Sequence, residues 1–158
     1  MLFRSEAFHP ALIAQLQEVL PGVKIYSMYG LTECKRTLYL PPDRLRDKPA
    51  SVGIPIPGTE AWVERDDRTR CAPGETGELV VRGPHVMRGY WADEELTARV
   101  FRPGPSPGER LLYTGDLFRA DEEGFLYFVS RKDDLIKSRG EKVYPREVER
   151  VILELPGV

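Results

Sequence analysis

Residues 23–33, VKIYSMYGLTE, place a short apolar segment directly before a polar loop, and this junction indicates the fold at the start of the chain. Loose alternation of β-branched and aromatic residues predicts a buried strand over residues 23–28. A helical stripe precedes the strand and ends at Pro21 and Gly22; its members are Leu12, Ile13, Leu16, Val19 and Leu20. A helix, a strand and a polar loop in this order predict part of an α/β sheet, in which ligands bind beyond the carboxyl ends of strands.

The composition of the 158 residues is that of a soluble globular protein, with 41% apolar and 30% charged side chains. Lysine and arginine number 23 against 25 aspartates and glutamates, so the charge gives no support to binding of nucleic acid or anionic membranes. No apolar run approaches the ~18 residues of a transmembrane helix, and the first residues lack the layout of a signal peptide. Cys34 and Cys71 have no metal-ligand spacing, so we expect two free thiols in a cytoplasmic protein.

The pattern changes after the first strand. Residues 40–58 hold many of the 14 prolines and predict an extended loop, whereas residues 59–131 contain short strand-like runs, including VMRGYW at 86–91. These runs predict a small barrel or a folded-over sheet. One helix, DEELTARVF, interrupts them with Asp93 as its N-cap. We expect Trp62 and Trp91 to fill the core.

The last residues predict a hairpin and a helix. The hairpin turns at residues 139–140, and Pro145 begins the helix. The buried stripe of that helix would consist of Val148, Val151, Ile152 and Leu155. One hairpin and one helix cannot bury such a stripe, and one helix and one strand at the start cannot form a sheet, so we expect the chain to be an internal part of a longer protein.

Four motifs occur in order: YGLTE (29–33), GELVVRGPHVMRGYW (77–91), YTGD (113–116) and SRKDDLIKSRGEKVYPREVE (130–149). Together they resemble the AMP-forming adenylating enzymes, which include acyl-CoA synthetases, luciferases and the adenylation domains of peptide synthetases. The wording of the last motif is most similar to acyl-CoA synthetases. The resemblance implies an α+β fold: the end of an α/β sheet over residues 1–50 and a small distorted β-barrel over 51–130, both from a large AMP-binding domain. A hinge and the first hairpin and helix of a small C-terminal α+β domain would follow over 131–158.

The residues of YGLTE suit a nucleotide monophosphate with a bound cation. Tyr29 offers a flat face to a purine, Gly30 allows close approach of the backbone, and Thr32 offers a hydroxyl to a phosphate oxygen. Glu33 is a hard carboxylate of the kind that Mg²⁺ takes together with phosphates. The alternative is a strand end at which Thr32 and Glu33 only cap a turn. The resemblance implies nucleotide binding by Tyr29, Gly30 and Thr32, a catalytic role for Thr32 and Glu33, and Mg²⁺ binding by Glu33.

Two further residues are candidates for the ribose. The carboxylate of Asp116 can accept both hydroxyls of a diol, although an aspartate in this motif also fits a plain turn. Arg131 presents a planar fork of donors that lysine would not replace. In the resembling enzymes the matching residues hold the ribose, and the residue that matches Asp133 is the pivot between two domains.

The predicted C-terminal hairpin carries candidates for the thiol acceptor. A glycine at 140 would leave room for the pantetheine arm of CoA beside the backbone, and Lys137 and Lys142 could contact phosphate. These roles are implied by the resemblance, in which the hairpin turns towards the site for the second half-reaction. Exposed lysines more often have no specific partner.

The resemblance implies a ligase of fatty acid metabolism that joins a carboxylic acid to CoA through an acyl-adenylate, with ATP, AMP and Mg²⁺ at the site. The 158 residues hold neither the phosphate-binding loop nor the C-terminal lysine of these enzymes, so we expect no turnover from them alone. One alternative is a nucleotide-binding module without catalysis. Another is an adenylating enzyme whose acceptor is the thiol of a carrier protein.

Overall fold

A computed structural model of the chain describes residues 10–138, 141–145, 148, 151 and 152, and it confirms an α+β fold. The elements in chain order are α1 (Pro10–Val19), β1 (Ser27–Leu31), β2 (Lys35–Leu40), a 3-10 helix (Pro42–Arg44), β3 (Ile54–Pro55), β4 (Glu60–Glu64), β5 (Thr76–Arg82), α2 (Glu94–Val100), β6 (Phe101–Pro103), β7 (Arg110–Ala120), β8 (Leu126–Arg131), β9 (Ile136–Ser138) and β10 (Glu141–Val143).

The first sheet has three antiparallel strands in the order β1-β2-β3. The strand predicted over residues 23–28 begins later, at Ser27, and within the described residues it pairs with β2 in the antiparallel direction. The motif YGLTE is therefore the end of β1 and the turn into β2, not a loop beyond a parallel strand. The reason is the hairpin itself, because Leu31 pairs with Lys35 across the short turn that joins the two strands.

The second sheet is open, with the path β4-β5-β7-β6 and with β8 also paired to β7. The long strand β7 has three neighbours: it pairs with β5, its first residues also pair with β6, and its last residues also pair with β8. Among the described residues no pairing joins the outer strands, so the expected barrel is a sheet without closure. The run VMRGYW is irregular and forms no strand; it follows Gly83 and Pro84, which come directly after the end of β5.

The helix α2 follows the prediction. The Asp93 side chain caps it by accepting a hydrogen bond from the Leu96 backbone N–H at 2.9 Å. Trp91, just before the cap, is 98% exposed, so its prediction as a core residue was wrong. Trp62 is half-buried on β4, where its indole N–H donates to the Glu64 carboxylate.

The core joins the two sheets. Phe118 on β7 is fully buried, and the rings of Tyr29 and Phe128 contact it edge-on with centroids 5.0 and 5.5 Å away. The backbone of Leu126 also bonds to the segment that leads into β3, with Val52 donating to it and Gly53 accepting from it at 2.9 Å each. The first and second halves of the chain therefore share one core.

The predicted C-terminal hairpin is present as β9 and β10, and residues 139–140 at its turn lie outside the described part. The backbone is helical at Pro145, as expected. Three members of the predicted stripe are 45–56% exposed, and Leu155 lies outside the described residues; the three are Val148, Val151 and Ile152. None of the helices within the described ranges has the length and apolar character needed to cross a membrane. The domain boundary near residue 130 remains a prediction.

Candidate nucleotide site

Tyr29 and Asp116, 87 residues apart in the chain, are in direct contact. The Tyr29 hydroxyl donates to Asp116 Oδ2 at 2.6 Å, and the Tyr29 ring rests on Phe118. Arg131 stands opposite Asp116 in the β7–β8 ladder, and its Nε lies 3.0 Å from Asp116 Oδ1. Three of the predicted nucleotide-binding residues thus form one cluster, which we call the ribose cluster: Tyr29, Asp116 and Arg131.

Burial dominates the electrostatics of the ribose cluster. Asp116 is only 2% exposed, and desolvation raises the pKa of its carboxyl, although the Tyr29 hydrogen bond and the Arg131 charge oppose that rise. Burial, then the charge of Asp116, also raises the pKa of the Tyr29 phenol well above its usual value. Asp116 Oδ1 is at ion-pair distance from Arg131 but has no hydrogen-bond partner among the described residues. This oxygen is buried, and its neighbour Arg131 has a side chain that is 53% exposed.

Glu33 has a partner that sequence reasoning missed. The Tyr90 hydroxyl donates to Glu33 Oε1 at 2.5 Å, and burial together with Glu33 raises the pKa of Tyr90 to about 12. The backbone carbonyl of Glu33 also accepts from the Met87 N–H at 2.8 Å. Tyr90 lies in the motif at 77–91, to which no site role was assigned from sequence. The signal that could have pointed to it is a tyrosine, an aromatic residue with a hydroxyl, directly after Gly89.

The turn between β1 and β2 explains two other candidates. Thr32 is exposed at this turn. A Cβ on Gly30 would lie 1.5 Å from the Lys35 carbonyl oxygen, so the hairpin itself requires a glycine there. The register of the β1–β2 pair shifts between Tyr29 and Gly30, which is the irregularity that brings this approach about. The hairpin alone is enough to explain the glycine, and the role of Gly30 beside a nucleotide stays a prediction.

The remaining candidates lie outside the ribose cluster. Asp133 is exposed in the turn that follows Arg131. Lys137 and Lys142 stand opposite each other in the β9–β10 hairpin, and Gly140 lies outside the described residues. Their roles as pivot and thiol-side residues stay predictions.

The structure also has a groove of about 500 Å³ on another part of the surface. Charged residues line it, among them Glu60, Arg82, Arg88, Glu109 and Arg110, and no predicted nucleotide-binding residue does. Arg82 is already paired with Glu60 and Glu109, so much of the charge in the groove is neutralised. The predicted nucleotide-binding residues that lie together are in the ribose cluster and not in this groove.

Comparison with known proteins gives the same class of protein as the fold and the cluster. The sequence model of the family described as AMP-binding enzyme matches residues 1–91. The chain belongs to this family.

Individual relatives agree. A long-chain-fatty-acid–CoA ligase of Escherichia coli O157:H7 is 41% identical over 147 residues, which are 93% of this chain and 25% of that protein. The chain therefore spans about a quarter of the length of this curated relative.

Solved structures include O-succinylbenzoate coenzyme A synthetase from Bacillus subtilis in complex with AMP, with a TM-score of 0.84 and 37% identity over 98% of this chain and 31% of that one. The same enzyme in complex with ATP and magnesium ion has a TM-score of 0.82 and 38% identity over 96% and 30% of the two chains.

Proposed function

We propose that the chain provides the nucleotide-binding part of an AMP-forming ligase that joins a carboxylic acid to CoA. The observation that carries the proposal is the ribose cluster: three residues from distant motifs meet around a buried carboxylate in a member of the AMP-binding enzyme family. The likeness to a long-chain-fatty-acid–CoA ligase supports the acid and the acceptor. Fatty acid metabolism and a cytoplasmic location belong to the same proposal.

The nucleotide would be held by the cluster and the neighbouring turn. Asp116 Oδ1 accepts no hydrogen bond from the described residues and would accept the ribose hydroxyls. The Arg131 guanidinium would donate to the ribose hydroxyls or to the ring oxygen. Tyr29 would offer the free part of its ring to the adenine. In the reaction, a carboxylate oxygen attacks the α-phosphorus of ATP, and the bond to pyrophosphate breaks; the thiolate sulfur of CoA then attacks the acyl carbon and AMP leaves.

The donor set fits Mg²⁺ bound through substrate. Glu33 Oε1 is engaged by Tyr90, which orients the carboxylate, and no cluster of three metal-ligating side chains exists among the described residues. One carboxylate together with phosphate oxygens is a usual arrangement for this ion, which neutralises phosphate charge when bound. Thr32, exposed beside Glu33, would donate its hydroxyl to a phosphate oxygen.

The second half-reaction would use the segment after Arg131. We propose Asp133 as the pivot, Gly140 as the residue beside the pantetheine arm, and Lys137 and Lys142 as contacts for CoA phosphates. One measurement separates the alternatives for the acceptor: it compares thioester formation with CoA and thioester formation with a carrier-protein thiol.

The proposal is tested in the protein as its gene encodes it. We expect ATP–pyrophosphate exchange that depends on an added carboxylic acid, with long-chain fatty acids and O-succinylbenzoate as first probes. Asp116→Ala should lower exchange by at least about a hundredfold, because the ribose would lose its main acceptor in the reacting complex. Tyr26→Phe is the control and should leave exchange unchanged, because Tyr26 is an exposed residue directly before β1.

AMP binding without exchange for any carboxylic acid would contradict a ligase and favour a binding module. Absence of AMP binding by folded protein would contradict both readings.

A further inference from the structure

Glu78 on β5 holds two backbone segments that belong to the ribose cluster. Its Oε1 accepts the Gly115 backbone N–H at 3.0 Å, and its Oε2 accepts from Lys132 Nζ at 2.9 Å. Gly115 directly precedes Asp116, and Lys132 directly follows Arg131. The Glu78 side chain is 14% exposed, so this carboxylate acts from a largely buried place.

These contacts close a ring of three residues. The Lys132 backbone N–H donates to the Gly115 carbonyl at 2.7 Å, while the Lys132 side chain returns to Glu78. Gly115 is thereby held at both its N–H and its carbonyl. Its φ of 71° lies in the left-handed region that favours glycine, so no other residue type would suit this turn as well.

The ring sits where the sheet is irregular. Glu78 pairs with Leu117, and Val80 pairs with Tyr113. A step of two residues along β5 therefore corresponds to a step of four residues along β7. The extra residues of that step leave Asp116 without a partner on β5, while it still pairs with Arg131 on β8. In such a bulge the ladder itself leaves backbone groups unpaired, and the Glu78 carboxylate supplies the missing partner for one of them.

We propose that Glu78 is a positioning residue for the ribose: a single carboxylate sets the place of Asp116 through Gly115 and that of Arg131 through Lys132. The inference rests on the proposed function, in which Asp116 and Arg131 hold the ribose. Glu78 itself touches neither Asp116 nor the expected ligand. Asp66, 80% exposed, gives Lys132 a second and weaker partner at 3.2 Å.

The test compares AMP with 2′,3′-dideoxy-AMP, which lacks the ribose hydroxyls, by calorimetry on the protein as its gene encodes it. We expect the unaltered protein to prefer AMP by at least about tenfold, since hydrogen bonds to a charged acceptor are lost with the analogue. Glu78→Ala should weaken AMP binding by about tenfold and leave the affinity for the dideoxy analogue within about twofold.

Two variants keep the test sharp if Glu78→Ala does not fold. Glu78→Gln retains one acceptor oxygen, which can serve Gly115 or Lys132 but not both, so its loss of AMP affinity should be smaller. Lys132→Met removes the ion pair and leaves the Gly115 bond, and it should also lower the preference for AMP. Glu60→Gln is the matched control, because it breaks the ion pair with Arg82 at the end of β5 and leaves the contacts of Glu78, Gly115 and Lys132 in place.

The outcomes separate the two proposals. If the unaltered protein shows no preference for AMP, the ribose assignment fails and the role of Glu78 fails with it. If it prefers AMP and all three variants keep that preference, only the role of Glu78 is overturned. An equal loss for both nucleotides would mark Glu78 as a purely structural residue, which also overturns the inference.

Discussion

At the scale of single residues, Asp116 shows a conflict between the proposed binding role and the stability of the fold. A carboxylate that is 2% exposed and has one oxygen without a hydrogen bond is costly to ionise in the folded protein. The Tyr29 hydroxyl and the Arg131 charge offset only part of this cost, since the net direction of the Asp116 pKa is upward. The proposed ribose contact would supply the missing hydrogen bond.

Asp116→Asn should therefore raise the free energy of unfolding at pH 7. A pKa that is raised on folding contributes stability below the ordinary value of about 3.9, and this stability is lost as the pH rises through the folded pKa. The advantage of the variant should thus grow as the pH rises above about 4, where the carboxylate begins to ionise in the unfolded chain but remains harder to ionise in the folded one. Urea unfolding of both proteins across this range measures it.

A constant difference between Asp116→Asn and the unaltered protein across that pH range would contradict the upward shift. Glu122→Gln, which changes an exposed acid in the β7–β8 turn, is the control and should follow the unaltered protein. Because the amide still accepts from Tyr29, the comparison isolates the charge.

At the scale of elements, the β1–β2 hairpin depends on a glycine for a reason that is entirely local to its backbone. Gly30 leaves room for the Lys35 carbonyl, and the turn it permits carries Thr32 and Glu33. Helix α2 is linked to Glu33 through Tyr90. Thr97 of α2 accepts from the Tyr90 backbone N–H at 2.9 Å, and the Tyr90 hydroxyl binds Glu33.

Gly30→Ala should cost about 3 kcal/mol or more of unfolding free energy, because its Cβ would overlap a backbone oxygen that cannot move alone. Gly124→Ala is the contrasting variant: its φ is 82° and the space around it is open, so only the conformational cost of about 1–2 kcal/mol applies. Chemical denaturation of the two variants compares them. A smaller loss in Gly30→Ala than in Gly124→Ala would show that the hairpin shifts without cost.

Asp93→Ala should destabilise the protein by about 1 kcal/mol through loss of the α2 cap. Asp93→Asn keeps an oxygen that accepts the Leu96 N–H and should be close to neutral. Thermal unfolding of the pair tests the cap directly. Equal losses in the two variants would assign the effect to the charge of Asp93 and not to its hydrogen bond.

At the scale of the whole molecule, Phe118 is a central residue where the two sheets pack together. The ring is fully buried on β7 and is the surface against which Tyr29 of the first sheet lies. The geometry of the ribose cluster is therefore a property of sheet packing as much as of its own three residues.

Phe118→Ala should lower the unfolding free energy by about 3–5 kcal/mol and displace Tyr29 from Asp116. Phe118→Leu fills most of the volume and should cost less. Trp91→Ala, at a site that is 98% exposed, is the control and should leave the unfolding free energy within about 0.5 kcal/mol. Urea unfolding provides the comparison, and a loss below about 1 kcal/mol in Phe118→Ala would contradict a core shared by the two sheets.

Some of these features were determined by the sequence alone. The cap at Asp93, the helix after it and the C-terminal hairpin follow from short-range signals, and the structure confirms them. The membership of the AMP-binding enzyme family was also visible in four motifs. Local hydrogen bonding and turn chemistry act over a few residues, so a pattern of residues is enough to predict them.

Other features were decided only by the tertiary structure. The later start of β1, the exposure of Trp91 and the bond between Tyr90 and Glu33, 57 residues apart, depend on which strands pair and in what register. Likewise, the role of Gly30 is set by a carbonyl that only the folded hairpin brings near. Because sheet pairing joins residues distant in the chain, no local pattern specifies these contacts.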